Sequence, residues 1–115
     1  MYAKWVWLSM EFVETALFTK KLPAYLADEE YLKLQKYLLA RPTCGDIIKG
    51  SGGVRKIRWK AEGRGKSGGV RIIFYLEVTA SRFLMLTLYA KNELEDLSPA
   101  EVKMLKRIVE DWNNG

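Results

Sequence analysis

The sequence predicts an α+β domain: an antiparallel sheet with two N-terminal helices packed on one face and a further helix at the C-terminus. Two observations carry that prediction. Helical spacing of apolar residues runs through positions 17–38, whereas three stretches of strict alternation follow one another at hairpin distance between 54 and 89. A third observation closes the chain. Ser98-Pro99-Ala100-Glu101 combines an N-cap serine, a proline at the first helical position and a glutamate at the third, the signature of a helix start.

In chain order, Met1–Ser9 carries a short apolar run and is read as a peripheral extension before a start at Met10, or as an added edge segment. It is too short for a membrane span and has no small-residue cleavage site. Glu11–Thr15 is a short strand. Phe18, Leu22, Tyr25 and Leu26 recur at helical spacing, with Pro23 expected to break or kink that helix. The next helix is expected to begin with Asp28 as N-cap and Glu29 and Glu30 in its first turn, where the backbone dipole favours anions. Tyr31, Leu34 and Leu38 form its apolar line, and Arg41-Pro42 stops it. Residues 43–53 read as loop.

Val54–Lys60 then alternates, with Ile57 and Trp59 inward and Lys56 and Arg58 outward. Arg55 shares the inward register and must snorkel at the strand start. Gly69–Val78 is the clearest strand, with Val70, Ile72, Phe74 and Leu76 opposed to Arg71, Ile73, Tyr75 and Glu77. Arg82–Tyr89 alternates again, setting Leu84, Leu86 and Leu88 against Phe83, Met85, Thr87 and Tyr89. Taking the leucines as the core face sends Arg71 and Tyr89 to the opposite, open face. Val102, Leu105, Val109 and Trp112 line one stripe of the last helix.

The 115 residues are enough for one domain with a substantial core, and nothing in them reads as a linker or repeat. Charge is unevenly placed. Lys49–Arg71 holds eight of the nineteen Lys and Arg but one of the fourteen acids, Glu62, so the entire positive excess lies in a fifth of the chain. Clustering of this kind points to a polyanionic partner more than an even spread of solubilising lysines does. Half of the residues are apolar, which excludes a disordered basic tail. A single cysteine, Cys44, forms no internal disulfide and fits a reducing, cytoplasmic setting. With no histidine and one cysteine, no metal site or cofactor is expected, and catalysts that need an imidazole base are excluded. Any catalyst here works with Lys, Arg, Tyr and carboxylates.

Gly63-Arg64-Gly65-Lys66-Ser67-Gly68 mimics a nucleotide-binding loop, but a strand follows where that loop requires a helix, so the match fails. The outward set of Lys56, Arg58, Arg71, Tyr75 and Tyr89, with Arg64 and Lys66 in the adjoining loop, is more informative. Cations that hold phosphates beside rings that stack on unpaired bases suit RNA. The bland alternative is a solvated sheet face that is basic by chance. It holds for any one lysine and fails for the set. Glu93, Glu95 and Asp96 read as the solvated lead-in to the last helix.

Several stretches together resemble the RelE superfamily of bacterial toxins, nearest its HigB branch: FVET at Phe12–Thr15, DEEY at Asp28–Tyr31, GDII at Gly45–Ile48, GSGGVRKIRW at Gly50–Trp59, GRGKSGGVRIIFY at Gly63–Tyr75 and YAKNELEDLS at Tyr89–Ser98. The resemblance implies a microbial RNase-like fold and ribosome-dependent cleavage of mRNA in the decoding site, in which the 2′-hydroxyl of the RNA attacks the adjacent phosphate. It places Lys56, Arg58, Arg71, Tyr89 and Lys91 as catalytic residues and Arg64, Lys66, Arg55, Lys60 and Tyr75 as RNA-binding ones, without a metal. Under it Arg71 stabilises transition-state charge, Tyr89 stacks or donates a hydrogen bond, and Lys91 or Lys56 handles a proton. It also implies a cognate antitoxin, HigA-like and DNA-binding, and no membrane. The chain lacks the tyrosine that some relatives place after the last helix, and the histidines of some HigB relatives. Two other readings stay open: a ParE-like, non-catalytic toxin that binds gyrase, and a non-catalytic RNA-binding module.

Overall fold

A computed structural model describes residues 2–7, 10–60, 69–94 and 96–115. The elements follow the order β1 (Tyr2–Trp7), β2 (Met10–Thr15), α1 (Ala16–Tyr25), α2 (Asp28–Ala40), β3 (Asp46–Ile47), β4 (Arg55–Trp59), β5 (Val70–Glu77), β6 (Arg82–Ala90) and α3 (Pro99–Asn114). They build one sheet of order β1-β2-β6-β5-β4-β3. Residues 2–7 are its edge strand, paired antiparallel with β2.

The three alternating stretches do form the consecutive antiparallel strands β4, β5 and β6. The sheet is nevertheless mixed, because β2 lies parallel to β6, with Phe12 opposite Phe83. Alternation reports which face a residue takes and is silent on the direction of its neighbour, so the insertion of β2 beside β6 left no local trace. The expected loop over 43–53 also contains β3, whose two residues pair with Lys56 and Arg55.

Two helical details differ from expectation. Pro23 does not break α1, which runs on to Tyr25 and ends two residues after the proline. Proline here sits in the last turn on the exposed side, where one missing N–H bond is tolerated. The N-cap of α2 is Ala27, and Asp28 is already helical. Leu26 is buried in the core as the C-cap of α1, and with Ala27 it makes a two-residue extended link that puts Asp28 in the first turn. At α3 the capping box is complete: Ser98 Oγ accepts from the Glu101 N–H at 3.1 Å and the Glu101 carboxylate accepts from the Ser98 N–H at 2.9 Å.

Helices cover both faces of the sheet: α1 and α2 pack on one, and the C-terminal α3 on the other. One core joins Phe18, Tyr25 and Leu26 of α1 and its C-cap, and Tyr31, Leu34 and Leu38 of α2, to Phe12, Ile57, Ile72, Phe74, Phe83, Met85 and Leu88. The other joins Leu105 and Val109 of α3 to Val13, Val54, Ile73, Leu84, Leu86 and Tyr89. The expected alternation on β6 is also broken. Ile73 pairs with Thr87 and Phe74 with Met85, so Leu86 is an extra residue, a β-bulge. The bulge reverses the faces halfway along the strand. Phe83 and Met85 turn to α1 and α2, Leu84 and Leu86 to α3, and beyond the bulge Leu88 and Tyr89 take those two sides respectively.

Candidate active site

The α3 side of the sheet is apolar where Leu105 and Val109 pack and polar beyond it. Arg58 on β4 is opposite Arg71 on β5, and Arg71 is opposite Tyr89 on β6. The three side chains therefore form a row across three adjacent strands, with cross-strand Cβ separations of about 5 Å. Lys56 lies two residues before Arg58 on the same face, about 7 Å along the strand. Two guanidiniums set directly opposite each other cost stability through like-charge repulsion. An anion seated between them would turn that cost into a gain.

The row is held from both sides. Trp59, next to Arg58, donates its indole N–H to Glu30 of α2 at 3.4 Å and meets the Tyr37 ring edge-on at 5.5 Å, which fixes β4 against α2. Past Tyr89, the Glu93 carboxylate accepts from the Ala90 N–H at 3.1 Å and from the Tyr25 hydroxyl at 2.6 Å, fastening the turn that carries Lys91 to α1. This turn-fixing role of Glu93 was missed in the sequence, where it read as a solvated acid. The Lys91 N–H donates to the Gly69 carbonyl at 3.3 Å. Gly69 has a φ of +73°, and a Cβ on it would stand 2.8 Å from the Trp59 carbonyl, so only glycine fits where β4 and β5 converge.

Within the row the groups differ in exposure. Arg58 is exposed, Lys56 half-buried, Arg71 8% exposed and Tyr89 3% exposed. The expected open face is thus partly closed, because Leu94 and Leu97 of the β6–α3 connection pack on the same cluster as Tyr89. The Tyr89 hydroxyl is buried without a hydrogen-bond partner among the described residues. Burial foremost, then the negative charge of Asp96, push its pKa up, while Arg71 draws it down and Glu101 adds a further upward push. Tyr89 therefore stays a phenol, a donor with nothing yet to donate to. Asp96 is the second residue the sequence did not flag. Its carboxylate receives the Lys56 ammonium at 3.4 Å and the Leu97 N–H at 2.9 Å, and the two together, the N–H first, hold it below the usual carboxylate range. No spacing in the sequence relates position 96 to position 56, so only the fold could join them.

The other expected site residues are scattered. Lys60 and Lys91 are exposed at the end of the row, immediately past Trp59 and Ala90. Tyr75 shares the face but lies four residues along from Arg71, where its hydroxyl receives the Asn113 amide of α3 at 3.2 Å. Arg55 is on the opposite face, opposite Phe74, and its guanidinium donates to the Thr43 and Gly45 carbonyls at 2.8 and 3.2 Å. It holds the loop before β3 instead of joining the row. Arg64 and Lys66, with the glycine-rich motif, lie outside the described residues. Cys44 is half-buried against the first core, where burial pushes its thiol up.

A mixed sheet between two helical layers, with a basic row and a phenol across three of its strands, defines a small α+β protein with cations gathered on one face. The family model for the RelE toxin of the RelE/RelB toxin–antitoxin system matches residues 45–114, a span that contains β3 to α3 and the whole row. The chain belongs to that family and is a RelE-family toxin of a toxin–antitoxin system. A solved structure of the E. coli toxin RelE, a double arginine-to-alanine mutant in the free state, superposes with a TM-score of 0.56 at 16% identity, covering 84% of this chain and 95% of that one. At that identity the superposition speaks for the fold. No helix among the described residues is long and apolar enough to cross a membrane.

Proposed function

We propose that this toxin is a ribosome-dependent endoribonuclease that cleaves translated mRNA. The observation that carries the reading is the Arg58–Arg71–Tyr89 row with Lys56 beside it. In the reaction, the 2′-hydroxyl oxygen bonds to the adjacent phosphorus, the bond to the 5′-oxygen breaks, and the proton lost by the 2′-oxygen is balanced by one gained at the leaving oxygen. Such a step needs cations around a phosphorane that carries more negative charge than the ground state, together with proton transfer at two oxygens. Arg71, flanked by Arg58, supplies the charge. Tyr89, a phenol whose donor has no partner among the described residues, supplies a hydrogen bond to a phosphoryl or leaving oxygen. Lys56 and Lys91, on either side of the row, are the groups that move protons.

The ribosome's part in the reading is to hold the message in an attack geometry the free toxin does not impose; the exposed cations Arg58, Lys60 and Lys91 would bind the RNA backbone. An antitoxin would silence the activity by covering this face or by clamping the helices, and the ribosomal substrate places the toxin in the cytoplasm. The test is induced expression with primer extension on a translated message. Cuts within codons that vanish when translation is blocked are expected, and Arg71→Ala should abolish them. Growth arrest without cuts would favour a gyrase-binding toxin, and RNA binding without either would leave a non-catalytic module.

A further inference from the structure

The connection between β6 and α3 does more than lead into a helix. It leaves β6 at Ala90, yet Asp96 meets Lys56 on β4, two strands away, so the segment doubles back over the face that carries the row. Two strand spacings are about 10 Å. On the way Leu94 and Leu97 pack into the cluster that contains Tyr89, whose hydroxyl is buried and has no partner among the described residues. The strap is clasped to β4 by the Lys56–Asp96 pair, whose carboxylate side chain is 73% exposed and whose ammonium side chain is 28% exposed. An ion pair so open to water is weak, and a competing anion can take its place.

We infer that Asp96 is a positioning residue that acts through Lys56: its carboxylate occupies the ammonium that a substrate phosphate must claim, and keeps the strap closed over Tyr89 until a phosphate displaces it. The chemistry is an exchange of anions on one ammonium. A backbone phosphate arriving at Arg58 and Lys56 repels the Asp96 carboxylate and replaces it on Lys56. The carboxylate then retains only the Leu97 N–H, and the strap loses its clasp at the β4 side. The Tyr89 hydroxyl, closed to solvent in the free chain, becomes reachable at the same moment that the phosphate is seated. A message held in register would open the site, whereas a loosely held anion pays for the displacement with no gain at Arg71 and Tyr89. The proposal rests on the cleavage reading for its consequence, though the anion exchange itself can be measured without it.

Asp96→Asn keeps the acceptor for the Leu97 N–H and removes the charge. In cleavage of a translated message its KM should fall by about three- to fivefold with kcat within about twofold of wild type, the range an exposed ion pair supplies. Asp96→Glu should keep the wild-type KM. In a Lys56→Met background, Asp96→Asn should leave the affinity for a tetranucleotide RNA unchanged, a binding readout that does not need Lys56 to move a proton. A rise in KM, or an equal effect with Lys56 absent, would overturn the proposal, because a carboxylate that merely fixed the turn would act independently of Lys56. A second readout needs no ribosome. With aspartate carboxyl carbons labelled with carbon-13, a tetranucleotide RNA should shift the Asp96 resonance toward that seen in Lys56→Met, and should not shift it in that variant. An unmoved resonance overturns the exchange. A moved resonance from a wild-type protein that cuts no message sustains the exchange and removes the cleavage reading instead.

Discussion

The two sides of the sheet are built to opposite rules. Toward α1 and α2 every strand position between Ile57 and Ala90 contributes apolar surface, and Phe12 and Phe83 stack at 4.9 Å between nearly parallel rings. Its buried carboxylate is matched: Glu14 receives the Tyr31 and Thr19 hydroxyls at 2.6 and 2.7 Å. Toward α3 the sheet is only half an apolar surface. Beyond Leu105 it sets two guanidiniums opposite each other and buries a phenol that has no partner among the described residues. The first side follows what stability asks of a sequence. The second departs from it at one place, and functional sites are where such departures concentrate.

Breaking each side separately tests that contrast. On the apolar side, Phe83→Ala should cost about 3–5 kcal/mol in urea unfolding, since a fully buried ring with stacked and tilted aromatic neighbours leaves a cavity. Protein that remains folded should still cleave. On the basic side, Arg71→Ala should lower cleavage by about a hundredfold or more, the effect of removing one group aimed at transition-state charge. The urea midpoint should move far less than for Phe83→Ala. Should Arg71→Ala retain full cleavage, the functional assignment of the row fails.

A third test concerns pH. The Tyr25 phenol, desolvated and bonded to the Glu93 carboxylate, is pushed up to about 12 from an unfolded value near 10. A group whose folded pKa is raised stabilises fully below its unfolded pKa and loses that contribution as pH climbs through the folded one. Stability should therefore drop between about pH 10 and pH 12. Tyr31, raised for the same reasons against Glu14, continues the loss at still higher pH. In Tyr25→Phe the first part of the alkaline slope should flatten, read from thermal melts across that range. The smallest effect expected is that of Ser98→Ala, which removes one half of the capping box at α3. It should lower stability by about 1 kcal/mol and leave cleavage near wild type.

Much of this was readable in the chain. Lys56, Arg58 and Arg71 were placed on one face by alternation alone, because β4 and β5 pair without irregularity from Arg55↔Phe74 to Trp59↔Val70. Tyr89 reached the same face for a reason the sequence did not contain. Strict alternation groups Tyr89 with Phe83 and Met85, but the bulge at Leu86 separates them and puts it with Leu84 and Leu86. A run of seven apolar residues and one threonine, Phe83–Ala90, offers no polar residue to report where a face changes.

By itself, then, the sequence determined the local elements and the charge. Side-chain period, the Ser98–Glu101 cap and the crowding of cations into Lys49–Arg71 are properties of neighbouring residues, and they act whatever the rest of the chain does. Only tertiary structure decided that β2 enters beside β6, that Leu86 bulges, that Arg55 turns to the Thr43 and Gly45 carbonyls, and that Asp96 closes on Lys56. Each of these depends on the packing of both faces of one sheet at once, a constraint between residues as far apart as Phe12 and Phe83 that no local pattern encodes.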